Sequence, residues 1–195
     1  MNRSNRRGFL ASSGAIGAIG AIGASTVLAA PDALAQANQG RTPATEVVLE
    51  FLNNTAADKI EAAAERLVAE DATYISLNFE NKDLKKILPW TGTQKGRKAF
   101  TTTFLGVANY WTIEDFRIDD AFGAGENVAV FGSFTYRSKT RGKSFTSPLS
   151  IHAKVRGGKI VYFMFMEDTF ASGRSFSAGG TWRVKTLPDS PEIQV

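Results

Sequence analysis

Hydrophobic residues recur at helical spacing in the first half of the chain and alternate with polar residues in the second half. The helical spacing predicts a helix with Thr45 as its N-cap, a second that begins at Asp58, and a third over residues 97–108. Residues 78–96 are predicted to be irregular apart from a helical turn over 83–88. Strands are predicted over residues 72–77, 111–119, 127–138, 145–156 and 159–170, with a tight glycine hairpin at 156–159. Helices followed by antiparallel strands indicate an α+β fold.

The first 35 residues have the pattern of an export signal. Arg6-Arg7 precedes a weakly apolar stretch over residues 10–30, and Ala33-Leu34-Ala35 supplies the small side chains that signal peptidase requires. This arrangement resembles a twin-arginine signal peptide. It implies passage through the Tat translocase, cleavage before Gln36 and a periplasmic or secreted mature protein. A membrane anchor is the alternative, and the four glycines within residues 10–30 argue against a stable one.

The composition is that of an ordinary globular protein and excludes several kinds of site. Hydrophobic residues make up 43% and charged residues 22% of the 195 residues, which suits one domain with a sizeable core. The chain has no cysteine, so disulfides, thiolate–metal sites and a cysteine nucleophile are excluded. His152 is the single histidine, so a histidine-rich metal site is not expected. No cofactor is predicted. The net charge of +4 falls to +2 without residues 1–35, which is too weak to predict nucleic-acid binding.

Three short motifs, in their order, resemble one family. Ala69-Glu70-Asp71-Ala72-Thr73 enters the first strand, Gly96-Arg97-Lys98-Ala99-Phe100 opens the third helix, and Gly158-Lys159-Ile160-Val161 precedes Asp168-Thr169. Over residues 44–172 the chain resembles the SnoaL-like and ketosteroid-isomerase-like branch of the nuclear transport factor 2-like superfamily. The resemblance implies a cone, in which a curved mixed or antiparallel sheet wraps on three N-terminal helices around one internal pocket. Residues 36–43 would then be a linker and residues 173–195 a C-terminal tail.

The catalytic residues of well-known relatives are missing at the matching positions. The helix-one tyrosine of the ketosteroid isomerases falls on Phe51, their proton-shuttling aspartate on Ser76, and their buried acid on Ser150 or Ile151. Phenylalanine and isoleucine cannot donate a hydrogen bond to an oxyanion, and serine is a far poorer base than a carboxylate. The last-strand aspartate of the family's epoxide hydrolases falls near Phe165. Neither mechanism is therefore expected.

Aromatic residues dominate the positions that should face the pocket. The predicted ligand-binding residues are Tyr74, Trp90, Phe104, Tyr110, Phe134, Tyr136, Phe163 and Phe165. In the last strand, alternation places Val161, Phe163, Phe165 and Glu167 on one face, which the register of the family would turn inward. Trp90, Tyr110 and Trp111 are expected to close the mouth. For each ring the alternative is a place in an ordinary hydrophobic core.

Three residues are candidates for acid–base catalysis. Glu167 is the carboxylate expected to face inward, and a neutral imidazole at His152 near it could pass protons close to pH 7. Asp168 is the third candidate. The alternative for His152 is a surface or structural histidine, and the alternative for Asp168 is a carboxylate that binds backbone where the strand ends. The remaining acidic residues do not form the pattern of a metal site.

Two functions of different classes remain open. The first is an exported protein whose aromatic pocket binds a small apolar molecule. The second is an isomerase, cyclase or dehydratase that uses an acid–base pair inside the cone. The opposite face of the last strand, with Tyr162, Met164 and Met166, is also apolar, so the tail or a second subunit should cover it. Members of the family commonly dimerise through this sheet, and a homodimer is therefore predicted.

Overall fold

The computed structural model describes residues 42–195, and its elements give the predicted α+β fold. The helices are α1 (Pro43–Leu52), α2 (Ile60–Leu67), α3 (Lys82–Ile87), α4 (Arg97–Tyr110) and α5 (Thr169–Ser175). The strands are β1 (Val68–Ser76), β2 (Gly92–Lys95), β3 (Trp111–Ala124), β4 (Asn127–Ser138), β5 (Ser144–Arg156), β6 (Lys159–Glu167), β7 (Arg183–Val184) and β8 (Ile193–Gln194). The predicted signal peptide and its cleavage site lie outside the described residues. None of the helices within residues 42–195 is both long and apolar enough to cross a membrane.

Six strands form one curved, mixed sheet in the order β2-β1-β6-β5-β4-β3. Strands β3 to β6 are an antiparallel meander, whereas β1 runs parallel to β6 and β2 pairs antiparallel with β1. Two register shifts in β3, at residues 113–115 and 118–120, bend the strand. The second shift requires Gly132 on β4, because a Cβ there would lie 2.0 Å from the carbonyl oxygen of Arg117.

Helices α1, α2 and α4 pack on one face of this sheet and bury its apolar side chains. Helix α1 begins at Pro43 with Thr42 as its N-cap, and the hydroxyl of Thr42 accepts a hydrogen bond from the backbone N–H of Thr45. The prediction that Thr45 is the N-cap is therefore wrong, since Thr45 is the reciprocal partner inside the first turn. In the core, the ring of Phe51 meets Phe100 edge-on, with centroids 5.8 Å apart.

The segment predicted to be irregular contains two short elements. The helical turn forms α3, and Pro89 follows soon after its end. Strand β2 was not predicted, because its four residues, Gly92–Lys95, have no apolar alternation and pair through their backbone with β1. The last long strand also ends earlier than predicted, at Glu167, because Asp168 begins a new helix.

The hairpin between β5 and β6 determines which side of the last strand faces the core. Gly157 and Gly158 have φ angles of 56° and 74°, which confirms the predicted tight glycine turn. A register shift between Lys154 and Val155 then places Ile160, and not the predicted Val161, in the buried core. From Phe163 onward the predicted inward face is the observed one.

Candidate functional site

A cavity of about 220 Å³ lies between the inner face of the sheet and helices α1 and α4. Its aromatic lining consists of Tyr74, Trp90, Phe104, Trp111, Phe116, Tyr136 and Phe165. Within the described part of the chain, Glu167 is the one charged side chain in this lining. Sites for drug-sized ligands measure about 300–1,000 Å³. This cavity therefore suits a smaller ligand, on the scale of a single substituted ring.

Glu167 lies at the end of β6, where its carboxyl group reaches the cavity. Its Oε1 is buried and has no hydrogen-bond partner among the described residues. Burial raises the pKa of Glu167 to about 7, while the nearby Ser172 hydroxyl lowers that pKa and the charge of Asp168 raises it. Near neutral pH this carboxyl group is therefore present in both protonation states. A group that both takes up and returns a proton during a reaction requires this.

Two tyrosines accompany this carboxyl group in the cavity lining. Tyr74 comes from β1 and Tyr136 from β4, and both side chains are buried. Burial raises the pKa of each phenol well above its usual range, and the negative charge of Glu167 raises both pKa values further. Both hydroxyls therefore stay protonated and are available as hydrogen-bond donors to a ligand oxygen.

Two tryptophans pack against each other in the cavity lining. The rings of Trp90 and Trp111 meet edge-on with centroids 4.8 Å apart. The indole Nε1 of Trp111 donates a hydrogen bond of 3.3 Å to Oγ of Ser175. Tyr110 packs on Trp90 at a centroid distance of 4.5 Å but is not part of the cavity lining. Tyr110 thus supports the lining without facing the cavity.

Seven of the eight predicted ligand-binding residues divide into two groups, and Tyr110 belongs to neither. Those that line the cavity are Tyr74, Trp90, Phe104, Tyr136 and Phe165. Phe134 and Phe163 are fully buried in the core instead, as the alternative interpretation of the rings had it. Phe116 was not predicted to face the pocket, yet it lines the cavity together with Ile113. The register shift in β3 puts these two residues on the same face, and simple alternation cannot show such a shift.

The structure does not bring His152 and Glu167 together. Strand β5 turns Ile151 into the core, so the neighbouring His152 points to the outer face of the sheet. There its Nε2 lies 3.1 Å from Oδ1 of Asn127, and its ring packs near Tyr162. The expected proximity of this imidazole to the inward carboxylate is therefore wrong.

Asp168 also has a structural position rather than a place in the cavity lining. Its Oδ1 accepts a hydrogen bond of 2.9 Å from the backbone N–H of Ala171, which caps helix α5. Its own backbone N–H donates to Oγ of Ser147 at 2.8 Å. This is the backbone-binding alternative considered for the residue.

The structure also places the positions that match the catalytic residues of the ketosteroid isomerases and the epoxide hydrolases. Phe51 belongs to the buried core, whereas Ser76 and Phe165 line the cavity. Ser150 lies beside a shallow outer hollow, and Ile151 is buried. Within residues 42–195 no three acidic or histidine side chains are grouped as metal ligands.

Comparisons with known proteins agree with this architecture. The model of the SnoaL-like domain family matches residues 48–163. The chain is 39% identical over 165 residues to "Patulin synthesis protein F" of Aspergillus clavatus, covering 83% of this chain and 81% of that protein. It is 40% identical over 147 residues to "Patulin biosynthesis cluster protein F" of Penicillium expansum, covering 74% and 73%.

A crystal structure of an NTF2-like protein from Burkholderia thailandensis has the same fold. The TM-score is 0.59 at 21% sequence identity, and the match covers 70% of this chain and 98% of that one. This likeness concerns the fold, whereas the family match rests on the sequence. With more than half of its residues matched by the family model, the chain belongs to the SnoaL-like family.

Proposed function

We propose that this protein is an enzyme that moves protons within a small ring compound, as an isomerase, cyclase or dehydratase, with Glu167 as the acid–base group. The observation that carries the proposal is the buried carboxyl group of Glu167, whose Oε1 has no partner among the described residues and which lines an aromatic cavity. A buried polar atom without a partner is costly, and a ligand proton or hydroxyl would satisfy it.

In the proposed reaction, ionised Glu167 removes a proton from a carbon next to a carbonyl group. The electrons of the broken C–H bond move to the carbonyl oxygen, where a hydroxyl of Tyr74 or Tyr136 stabilises the developing charge. Protonated Glu167 then returns the proton to another atom of the same molecule or to a leaving hydroxyl group. The steps balance without an oxidant, a reductant or a metal.

The names of the relatives support the choice of an enzyme. Two proteins about 40% identical to this chain are named for the synthesis of patulin, and each alignment covers at least 73% of both chains. A role in the synthesis of a small molecule agrees with a cavity of about 220 Å³ that has the carboxyl group of Glu167 in its lining. We extend that class of role, and not the particular compound, to this chain.

A protein that binds a small molecule without converting it is the second candidate. The mostly apolar lining of the cavity favours it, because such a lining serves binding as well as catalysis. The two candidates differ in one respect. A protein that only binds its ligand does not exchange the protons of that ligand. Loss of the Glu167 carboxylate would then change no reaction rate.

The test follows proton exchange on a small ketone. With 2-cyclohexen-1-one in D2O, proton NMR reports the rate at which α-protons are replaced by deuterium. We expect the wild-type protein to accelerate this exchange above the rate in buffer. Glu167→Gln should reduce the acceleration about 10²–10⁴-fold, the usual contribution of a general base.

Asp168→Asn provides the matched control for this experiment. It removes the adjacent negative charge, and asparagine keeps the helix cap that Asp168 provides. We expect its exchange rate to stay within about threefold of the wild type, since the residue caps a helix and does not line the cavity. Equal rates for Glu167→Gln and the wild type would refute the role of Glu167. Binding of the ketone by the wild type without any exchange would favour the binder.

A further inference from the structure

Residues beyond the part of the chain matched by the family model pack against the lining of the pocket. That match ends at residue 163, whereas helix α5 and the turn after it occupy residues 169–177. We call residues 169–177 the C-terminal wall. Three of its side chains contact or adjoin the lining of the cavity.

The first of these contacts is electrostatic. Ser172 is fully buried, and a hydrogen bond from its hydroxyl lowers the pKa of the Glu167 carboxyl group. The wall therefore adjoins the acid–base group itself.

The second contact holds a tryptophan of the cavity lining in place. Ser175 and Trp111 are each 3% exposed, and Oγ of Ser175 accepts the hydrogen bond from the indole N–H. A buried indole N–H needs an acceptor, so this bond favours one orientation of the ring. The serine hydroxyl in turn donates to the carbonyl oxygen of Ser172 at 2.7 Å.

The third contact is aromatic. The ring of Phe176 packs on Trp111 with centroids 5.1 Å apart and on Trp90 at 6.4 Å. Phe176 does not line the catalytic cavity, but it lines a second cavity of about 460 Å³ between α3 and the C-terminal residues. Phe176 and the two tryptophans therefore form a partition between the two cavities.

We propose that the C-terminal wall limits the size of the ligand, with Phe176 as the size-determining residue and Ser175 as the positioning residue for Trp111. This inference rests on the proposed function for the identity of the pocket. The closed partition restricts the cavity to a compound with one ring. Without the ring of Phe176, the indoles lose their support, and the space behind them becomes available to a second fused ring.

The test compares the affinities of two ketones that differ by one ring. 2-Cyclohexen-1-one and 1-tetralone are titrated into the full mature chain, and the indole N–H signals of Trp90 and Trp111 are followed by NMR. Phe176→Ala should raise the affinity for 1-tetralone relative to 2-cyclohexen-1-one at least tenfold. A ratio of affinities is used because a general loss of stability would affect both ketones alike.

Phe170→Ala is the matched control in the same wall. The ring of Phe170 packs on Trp182 at 5.2 Å and lines the outer cavity, and it makes no ring contact with Trp90 or Trp111. Its ratio of affinities should stay within twofold of the wild type. Should Phe176→Ala fail to fold, Phe176→Leu removes the aromatic support with a smaller loss of volume and should change the ratio in the same direction.

Ser175 is tested by its spectroscopic signature and by a rescue. Ser175→Ala should move the Trp111 indole signal, speed its hydrogen exchange and raise the ratio, whereas Ser175→Thr, which keeps a hydroxyl, should restore all three. An unchanged ratio in both Phe176 variants, or no binding of 1-tetralone to either, would overturn the proposal. Binding does not require Glu167 to react. A changed ratio of affinities without any proton exchange would therefore refute the catalytic proposal but support the proposed role of the C-terminal wall.

Discussion

The phenol ring of Tyr74 lies almost parallel to the ring of Phe163, with centroids 5.7 Å apart and planes within 10° of each other. The parallel pairing of β1 with β6 places these two residues directly opposite one another on the inner face of the sheet. Phe163 also meets Phe51 and Phe100 edge-on, at 6.2 Å and 5.7 Å. One core ring thus joins the helical layer to a tyrosine of the pocket.

This position predicts a large loss of stability for Phe163→Ala. The side chain is fully buried, so its removal should lower the free energy of unfolding by about 3–5 kcal/mol. Phe79→Ala is the control, because Phe79 is 70% exposed. This substitution should lower the free energy of unfolding by less than about 1 kcal/mol. Urea unfolding followed by circular dichroism measures both values. Similar losses for the two variants would contradict the packing described.

Removal of either pocket phenol should slow the proposed reaction. Tyr74→Phe and Tyr136→Phe each delete one donor that faces the developing oxyanion, and loss of one such donor typically costs about 10²–10³-fold in rate. Tyr162→Phe is the control, because its hydroxyl contacts Met164 on the outer side of β6. The deuterium-exchange assay measures all three variants. A rate for Tyr162→Phe as low as that of the pocket variants would argue against a specific role for the inner pair.

The protonation of Glu167 should make stability depend on pH. Its pKa rises from 4.5 to about 7 on folding, so between these values the unfolded chain holds fewer protons than the folded chain. The free energy of unfolding therefore falls as pH rises through this window, by about 3 kcal/mol for this group at most. This loss of stability is absent below about pH 4.5 and complete above about pH 7.

Glu167→Gln isolates this effect, since other titrating groups contribute to both proteins and cancel in the difference. The unfolding free energy of the variant should exceed that of the wild type increasingly from pH 4.5 to pH 7. Parallel pH profiles would show that the carboxyl group is not buried in the way described. The wild-type exchange rate should rise over the same range, because the ionised form is the base.

His152→Ala should leave proton exchange within about twofold of the wild type. The imidazole contacts Asn127 and Tyr162 on the outer face and does not line the cavity. The same exchange assay compares this variant directly with Glu167→Gln. A loss of more than tenfold at His152 would mean that the outer face takes part in the reaction.

The outer face of the sheet should form the contact between two copies of the chain. Phe131 and Met166 are 45% and 37% exposed there, although both are large apolar side chains. We expect a homodimer whose subunits begin at Gln36 after export, as the leader predicts. Native mass spectrometry of protein from an exporting bacterial host measures the oligomer and the start of the chain together. Phe131→Lys should yield monomers, and a wild-type monomer at micromolar concentration would contradict the dimer.

Periodicity predicted the parts of the fold that follow a regular pattern. The β5–β6 hairpin was found from its two glycines, and alternation correctly grouped Phe163, Phe165 and Glu167. In β5, alternation puts His152 on the face opposite the apolar Ile151, which is a signal in the sequence that the histidine lies outside the pocket. A face made of apolar residues is more often the buried one.

The remaining features depend on contacts between distant parts of the chain. Strand β2 forms because β1 offers an edge, and nothing in its own four residues is typical of a strand. Phe116 reaches the cavity because of a register shift against β4. In the C-terminal wall, Ser175 accepts a hydrogen bond from Trp111, which lies 64 positions earlier in the sequence. No local sequence pattern predicts a contact between residues so far apart.

The position of β6 in the sheet affects the order in which the chain can fold. This strand lies between β1 and β5, yet it is the last of the long strands to be synthesised. Tyr74 and Phe163 are about 90 positions apart, and pairings of such long range are slow to form. Until residues 159–167 have left the ribosome, β1 can pair only with β2 in the sheet. The cavity, whose lining includes Phe165 and Glu167, is therefore one of the last features of the molecule to form.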